Sequence, residues 1–306
     1  MKPTLSIGIP TFNQGEYLEE TILSVLNQTV KPYEFVICNN HSTDGITDEV
    51  LKKYKNDIKV IEPSKILPMM ENWNFLCKNL TGDYISLLSS DDFYEPNFIE
   101  AFYANLKPDG VLYRVGINLV NKDGDILGSS KIRSARKVQN FPGNFYEQLI
   151  GPKLSFAGFV VKSEAMRRVG FFDERLKLNG DWGLWLRLAP LGSFYLINKI
   201  LSNYRGGYRP TLAKERFEMN ILDILYVYEN IQKEIIEKYR LKKGMQRNSI
   251  KLHIYRFEKT MISSQINDSD ALLKFKEFFH GNYIKSEFEY RVRSQVQRLY
   301  EGLIKR

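Results

Sequence analysis

The chain reads as an α/β protein, with a mostly parallel, doubly wound sheet flanked by helices over residues 1–210 and a helical region over 211–306. Three observations lead there. Strand and helix patterns alternate from the amino terminus, which favours parallel strands joined by right-handed crossovers. The apolar run Tyr84-Ile85-Ser86-Leu87-Leu88 breaks into Ser89-Ser90-Asp91-Asp92, so two carboxylates stand at a strand end, where open α/β sheets bind ligands. Beyond Pro210 apolar residues recur at three- and four-residue spacing, the period of amphipathic helices.

The elements follow in order. Leu5 to Ile9 is a short buried strand, Pro10 to Gly15 a loop, and Tyr17 to Gln28 a helix with Leu18, Ile22, Val25 and Leu26 on one face. Glu34 to Cys38 is a second strand ending in Asn39-Asn40-His41-Ser42-Thr43-Asp44-Gly45, where Ser42 to Asp44 suit a helix cap. A helix from about Ile46 to Lys55 and a strand near Ile58 to Ile61 come next. Phe93-Tyr94-Glu95-Pro96 is expected to start a helix after the carboxylates. Adjacent acidic groups at a strand end attract a hard divalent cation such as Mg²⁺ or Mn²⁺, which holds diphosphate; the same residues also cap helices. Val111 to Val115 is a strand, Asn121 to Asp125 a hairpin turn, and Leu154 to Val161 a strand whose Gly158 marks a bulge or a close approach. Asp181 precedes a helix, Trp182 to Leu188, and Phe194 to Ile197 is a short apolar run. Phe217, Ile221, Ile224, Tyr228, Ile231, Ile235 and Tyr239 form a long helical stripe, followed by helices near Ser249–Met261, Ala271–Phe279 and Ser286–Ile304.

Four stretches, PTFNQGEYLEETILSVLNQT, ICNNHSTDG, MMENWNFLCKNLTGDYISLLSSDD and VGFFDERLKLNGDWGLWLRLA, resemble the inverting family 2 glycosyltransferases of the GT-A fold, in that family's order and spacing. The resemblance implies a nucleotide-sugar donor, a divalent metal and transfer of one sugar with inversion. Carried over residue by residue, Pro10, Thr11 and Asn13 belong to the nucleotide-binding first loop. Asn39 stands where the family commonly reads uracil with an aspartate. An amide can accept that bond but also donate, so a UDP-sugar is favoured with the base open. Asp91 resembles the ribose-binding residue and shares the metal with Asp92, the expected ligand; Ser90 replaces a frequent carboxylate. Asp181 is the expected general base, although Gly180 departs from the family's acidic pair. Arg205 or Arg209 would clamp the diphosphate, and the histidine that often follows the family's Tyr-Arg pair is missing.

Composition narrows the rest. With 306 residues, 43% hydrophobic and 26% charged, the chain can bury a large core. Cys38 and Cys77 make no disulfide framework, which suits a reducing cytoplasm. No signal-peptide pattern opens the chain, and no apolar run reaches the ~18 residues of a spanning helix, so neither secretion nor membrane insertion is expected. His41, His253 and His280 are too scattered for zinc, and without GxGxxG or P-loop glycines, hydride transfer and ATP hydrolysis fall away. Residues 211–306 hold 19 Lys and Arg against 13 Asp and Glu, a net +6 of the chain's +8. That excess suits peripheral contact with an anionic membrane at the inner face, whereas the stripes suit packing on the catalytic domain or a homodimer. Nucleic-acid signatures are absent. The expectation is a metal-dependent inverting hexosyltransferase acting on a glycan or lipid-linked glycan acceptor. The alternatives are an inert nucleotide- or glycan-binding relative and a nucleotidyltransferase, the latter disfavoured because Pro10 to Tyr17 carries no Lys or Arg.

Overall fold

The computed structural model describes residues 2–130, 137–149, 151, 155–206, 214–263 and 269–283. In chain order the elements are β1 (Leu5–Thr11), α1 (Gly15–Leu26), β2 (Glu34–Asn39), α2 (Ile46–Lys53), β3 (Lys59–Ile61), α3 (Met69–Lys78), β4 (Tyr84–Leu87), β5 (Phe93–Tyr94), α4 (Phe98–Ala104), β6 (Gly110–Val120), β7 (Ile126–Ser130), β8 (Val138–Gln139), α5 (Gly143–Gln148), β9 (Phe159–Lys162), α6 (Ser163–Arg168), α7 (Gly180–Leu188), β10 (Ser193–Tyr204), α8 (Lys214–Tyr226), α9 (Lys233–Lys238), α10 (Lys243–Ser263) and α11 (Asp270–Tyr283). A π-helical turn, Val227–Gln232, joins α8 to α9.

The described strands form one ten-stranded sheet in the order β3-β2-β1-β4-β9-β6-β10-β5, with β7 beside β6 and β8 beside β10. β3, β2, β1 and β4 run parallel, as expected, and β6 runs parallel to β10. The sheet is nevertheless mixed. β9 lies antiparallel between β4 and β6, and β5, β7 and β8 also pair antiparallel. The chain leaves β1 toward β2 and β3 on one side and reaches β4 on the other, so the switch point lies between β1 and β4. All seven residues of β1 are buried, as expected for a strand covered on both faces. Leu5, Ile7 and Ile9 pack with Leu18, Ile22 and Val25 of α1.

Two expected elements are corrected. Phe93 and Tyr94 form β5 rather than a helix start, because they pair with Ser202 and Asn203 of β10; the helix begins at Phe98. Gly158 takes φ +77° in the turn before β9, so that strand starts at Phe159.

The chain divides into two compact units: Met1–Asn144, Leu154–Glu174 and Arg187–Arg209 in the first, and Phe145–Lys153, Arg175–Leu186 and Pro210–Arg306 in the second. The expected division into 1–210 and 211–306 put the segments at 145–153 and 175–186 in the first domain. Within the second unit Phe217, Ile221, Ile224, Tyr228, Ile231 and Ile235 are buried, while Tyr239 is exposed. Phe217 meets Phe257 and Tyr228 meets Phe275, so this stripe packs against helices of its own unit. The helix expected at Ser286–Ile304 lies outside the described residues.

Candidate functional site

The carboxyl ends of β1, β2 and β4 define the crevice of the first unit, and its loops are tied together by side chains the sequence places there. Asn13 takes φ +53°, a conformation asparagine tolerates; its Oδ1 accepts the Thr43 amide at 2.6 Å, and its own amide donates to Ser42 Oγ at 3.0 Å. Asp44 accepts the amides of Gly15 and Thr47 at 2.9 and 3.0 Å, joining the starts of α1 and α2. Desolvation works against ionisation of Asp44, but these bonds outweigh it and hold its carboxyl below the usual range. Gly15 is required at this junction, since a Cβ there would lie 2.4 Å from the Thr47 nitrogen.

Asn39 is buried at the end of β2, with Oδ1 accepting the Ser42 amide at 3.0 Å. Its Nδ2 donates to Asp48 at 3.4 Å, so a base would meet one lone pair of the oxygen and one remaining N–H. Pro10 is buried, and the hydroxyl of Thr11 is buried without a partner among the described residues. Phe12 was missed in the sequence. Its ring is 46% exposed between Thr11 and Asn13, and an aromatic in a polar loop was the available signal.

After β4 the two aspartates separate in environment. Asp91 is half-buried, whereas Asp92 is fully buried and its Oδ1 accepts the Arg205 amide at 2.9 Å. Thr21 of α1 donates to the carbonyls of Ser90 and Asp92 at 3.0 and 2.8 Å, holding the turn from below. Ser90 is buried and bonded to Gln14, so it does not stand in for the missing carboxylate at the surface.

Arg205 was expected at the diphosphate, and its surroundings give it different work. It is 7% exposed, with Nε donating to the Asp91 carbonyl at 2.9 Å, one terminal nitrogen to the carbonyls of Asn121 and Lys122, and the other to Glu20. Its guanidinium also lies over the rings of Tyr17 and Phe93. A cation so committed braces the Asp91-Asp92 turn. Arg209 lies outside the described residues.

Asp181 belongs to the second unit. It stands in the first turn of α7, half-buried, and its Oδ1 accepts the Trp182 amide at 2.7 Å. Buried Asp223 of α8 accepts the amides of Lys177, Leu178 and Asn179 at 2.7 to 3.0 Å, fixing the approach to α7. Trp182 anchors the other side: its ring is fully buried, and Nε1 donates to the Gln148 carbonyl at 2.6 Å.

A family model for glycosyl transferase family 2 matches residues 6–173, more than half of the chain and the whole strand-end turn. The chain belongs to that family. The match ends short of Asp181 and Arg205. Chondroitin synthase of Pasteurella multocida (strain Pm70) is 30% identical over 205 residues, which cover 66% of this chain and 20% of that protein. An uncharacterized glycosyltransferase of Rickettsia felis (strain ATCC VR-1525 / URRWXCal2) is 28% identical over 251 residues, covering 77% and 40%. This family 2 chain thus spans about a fifth of the length of the chondroitin synthase it matches. Among solved structures, S. aureus TarS in complex with UDP-GlcNAc aligns with TM-score 0.57 at 15% identity, over 92% of this chain and 93% of that one. The Pyrobaculum calidifontis mannosyltransferase PcManGT in complex with GDP-Man and Mn²⁺ aligns with TM-score 0.57 at 15% identity, over 97% and 85%. At that identity the likeness establishes the fold, which is GT-A.

Proposed function

We infer that this chain is an inverting glycosyltransferase that moves one sugar from a nucleoside-diphosphate donor to a hydroxyl of a glycan or lipid-linked glycan. The carrying observation is the Asp91-Asp92 turn at the β1/β4 switch point of a family 2 chain, the position where open α/β sheets meet ligands. TarS with UDP-GlcNAc and PcManGT with GDP-Man and Mn²⁺ support a nucleotide sugar and a metal in general terms. A UDP-sugar remains the favoured donor.

The residues present suit a shared metal site. Among the described residues no group of three His, Cys, Asp or Glu side chains could hold a metal ion. Small hard cations are commonly bound by one or two carboxylates together with substrate phosphates. Asp91, the more exposed of the pair, would hold the ion directly; Asp92, buried on the Arg205 amide, would fix the turn that presents it. A divalent cation held there would supply positive charge against the departing diphosphate. The exposed ring of Phe12 offers a stacking face for the base. Asp181 would accept the proton of the acceptor hydroxyl, a role that typically contributes about 10²- to 10⁴-fold. Its assignment rests on its place in the motif of α7.

This reading places the chain in the cytoplasm, with the basic C-terminal region toward an anionic membrane face. No helix among the described residues is long and apolar enough to cross a membrane. The test is release of nucleoside diphosphate from a panel of nucleotide sugars with Mn²⁺ and no acceptor. Slow, Mn²⁺-dependent release from one donor class supports the transferase. Release of pyrophosphate points to nucleotidyl transfer, and silence across the panel points to an inert relative.

A further inference from the structure

Trp73 has no part in the site described so far, although it lies in one of the family-like stretches. It sits in the second turn of α3, half-buried, stacked on half-buried Phe156 with ring centroids 4.3 Å apart and planes at 26°. Phe172 meets Trp73 edge-on at 5.3 Å. Met69, 43% exposed, stands one turn earlier on the same helix face.

Topology sets this pair beside the crevice. β9 runs antiparallel to β4, with Tyr84 opposite Lys162 and Ile85 opposite Val161, and Ser86 Oγ donates to the Phe159 carbonyl. Because β9 is antiparallel to β4, its amino-terminal end, and with it the turn that carries Phe156, lies at the carboxyl end of β4. Arg114 of β6, 2% exposed, donates to the Phe156 carbonyl at 3.4 Å and holds this segment in place. α3 begins where the chain returns from β3, so its first turns also lie at the carboxyl end of the parallel strands. Across the sheet, the order is the Asn39 loop at β2, the Phe12 loop at β1, the carboxylates at β4 and the aromatic pair at β9.

We propose that Trp73 and Phe156 form a stacking platform for a pyranose ring of the acceptor glycan; the proposal rests on the transferase reading above. The apolar C–H face of a pyranose docks on an aromatic face, which supplies a large apolar area at little conformational cost. The nucleotide end of the crevice is already provided for by Phe12, Thr11, Asn13 and the carboxylates. The platform lies past the carboxylates, and with Met69 it extends beyond a single ring, which fits an oligosaccharide rather than the donor's one sugar.

The chain has three tryptophans, and Trp182 and Trp185 are fully buried, so quenching of fluorescence by acrylamide reports on Trp73. Cellotetraose or N-acetylchitotetraose at millimolar concentration is expected to protect Trp73 from acrylamide, while UDP with Mn²⁺ does not. By calorimetry, Trp73→Phe and Phe156→Leu weaken binding of the protecting tetrasaccharide about tenfold, on the scale of trimming an interface aromatic, and bind UDP with Mn²⁺ as the parent does. The nucleotide titration also shows that each variant is folded. Protection by neither tetrasaccharide, protection by UDP alone, or an equal loss of nucleotide binding overturns the platform. Mn²⁺-dependent donor hydrolysis, measured without acceptor, fails or succeeds separately and bears on the transferase reading alone.

Discussion

Neighbouring carboxylates can have different tasks when one meets solvent and the other meets a main-chain amide. Asp91→Asn is expected to abolish stabilisation by nucleoside diphosphate plus Mn²⁺ in a thermal-shift assay, with little change in the melting temperature of the free chain. Asp92→Asn is expected to act on the fold: an amide group pointed at the Arg205 N–H leaves a buried donor or acceptor unmatched, at a cost of about 1–3 kcal/mol in denaturant titration. Reversed behaviour of the two variants would transfer the metal to Asp92. Arg205 belongs to the same argument, because Arg205→Lys keeps the charge and loses the fork that reaches the Asp91 carbonyl, Asn121 and Glu20 together. None of this was visible in the sequence. Glu20 and Arg205 are 185 residues apart, and a Tyr-Arg pair on a glycine-rich loop reads equally well as a phosphate clamp until its burial is known.

The elements were most legible where each carries its own periodicity. β1, β2 and β4 are apolar runs bounded by turn residues, and α1 has a clear stripe, so all four were placed to within a few residues. β5 is two residues long and exists only because β10 pairs with it, which no local pattern records. The π-helical turn keeps Val227, Tyr228, Ile231 and Gln232 inside and so looks like ordinary helix in the sequence. The junction of α1 with α2 gives a direct test. Gly15→Ala places a methyl group against the main chain of Ile46 and Thr47 and is expected to destabilise by about 1–3 kcal/mol, measured by urea titration. In the second unit α10 supplies a buried histidine. Desolvation, aided by Arg256, pushes His253 down to about 3, and Tyr228 OH bonds its Nδ1 at 2.6 Å. The unfolded chain takes up that proton below about 6.5 while the folded chain does not, so stability falls as pH drops from there toward about 3, by up to about 1.4 kcal/mol per unit. His253→Gln is expected to flatten the stability profile in that window, and an unchanged profile would remove His253 as its source.

At the scale of the molecule the family and the GT-A class were legible through the resemblance of four stretches, whereas the antiparallel insertion of β9 was not, because short apolar strands carry no mark of direction. The charge distribution was legible directly, being a count. With the apolar stripe of residues 217–235 internal to its unit, the basic excess is what remains to meet an anionic surface. Cosedimentation with phosphatidylserine vesicles is therefore expected at low salt and should vanish toward about 1 M salt, where the screening length shrinks to about 3 Å. Binding that survives high salt, or no binding at low salt, would contradict that orientation. The bond from residue 205 to Asp92 has its own consequence. Its donor is backbone, so every residue at 205 except proline still offers Asp92 an N–H, whatever becomes of the side-chain brace. Arg205→Pro is the one replacement that removes that donor itself, beyond the loss of the side chain.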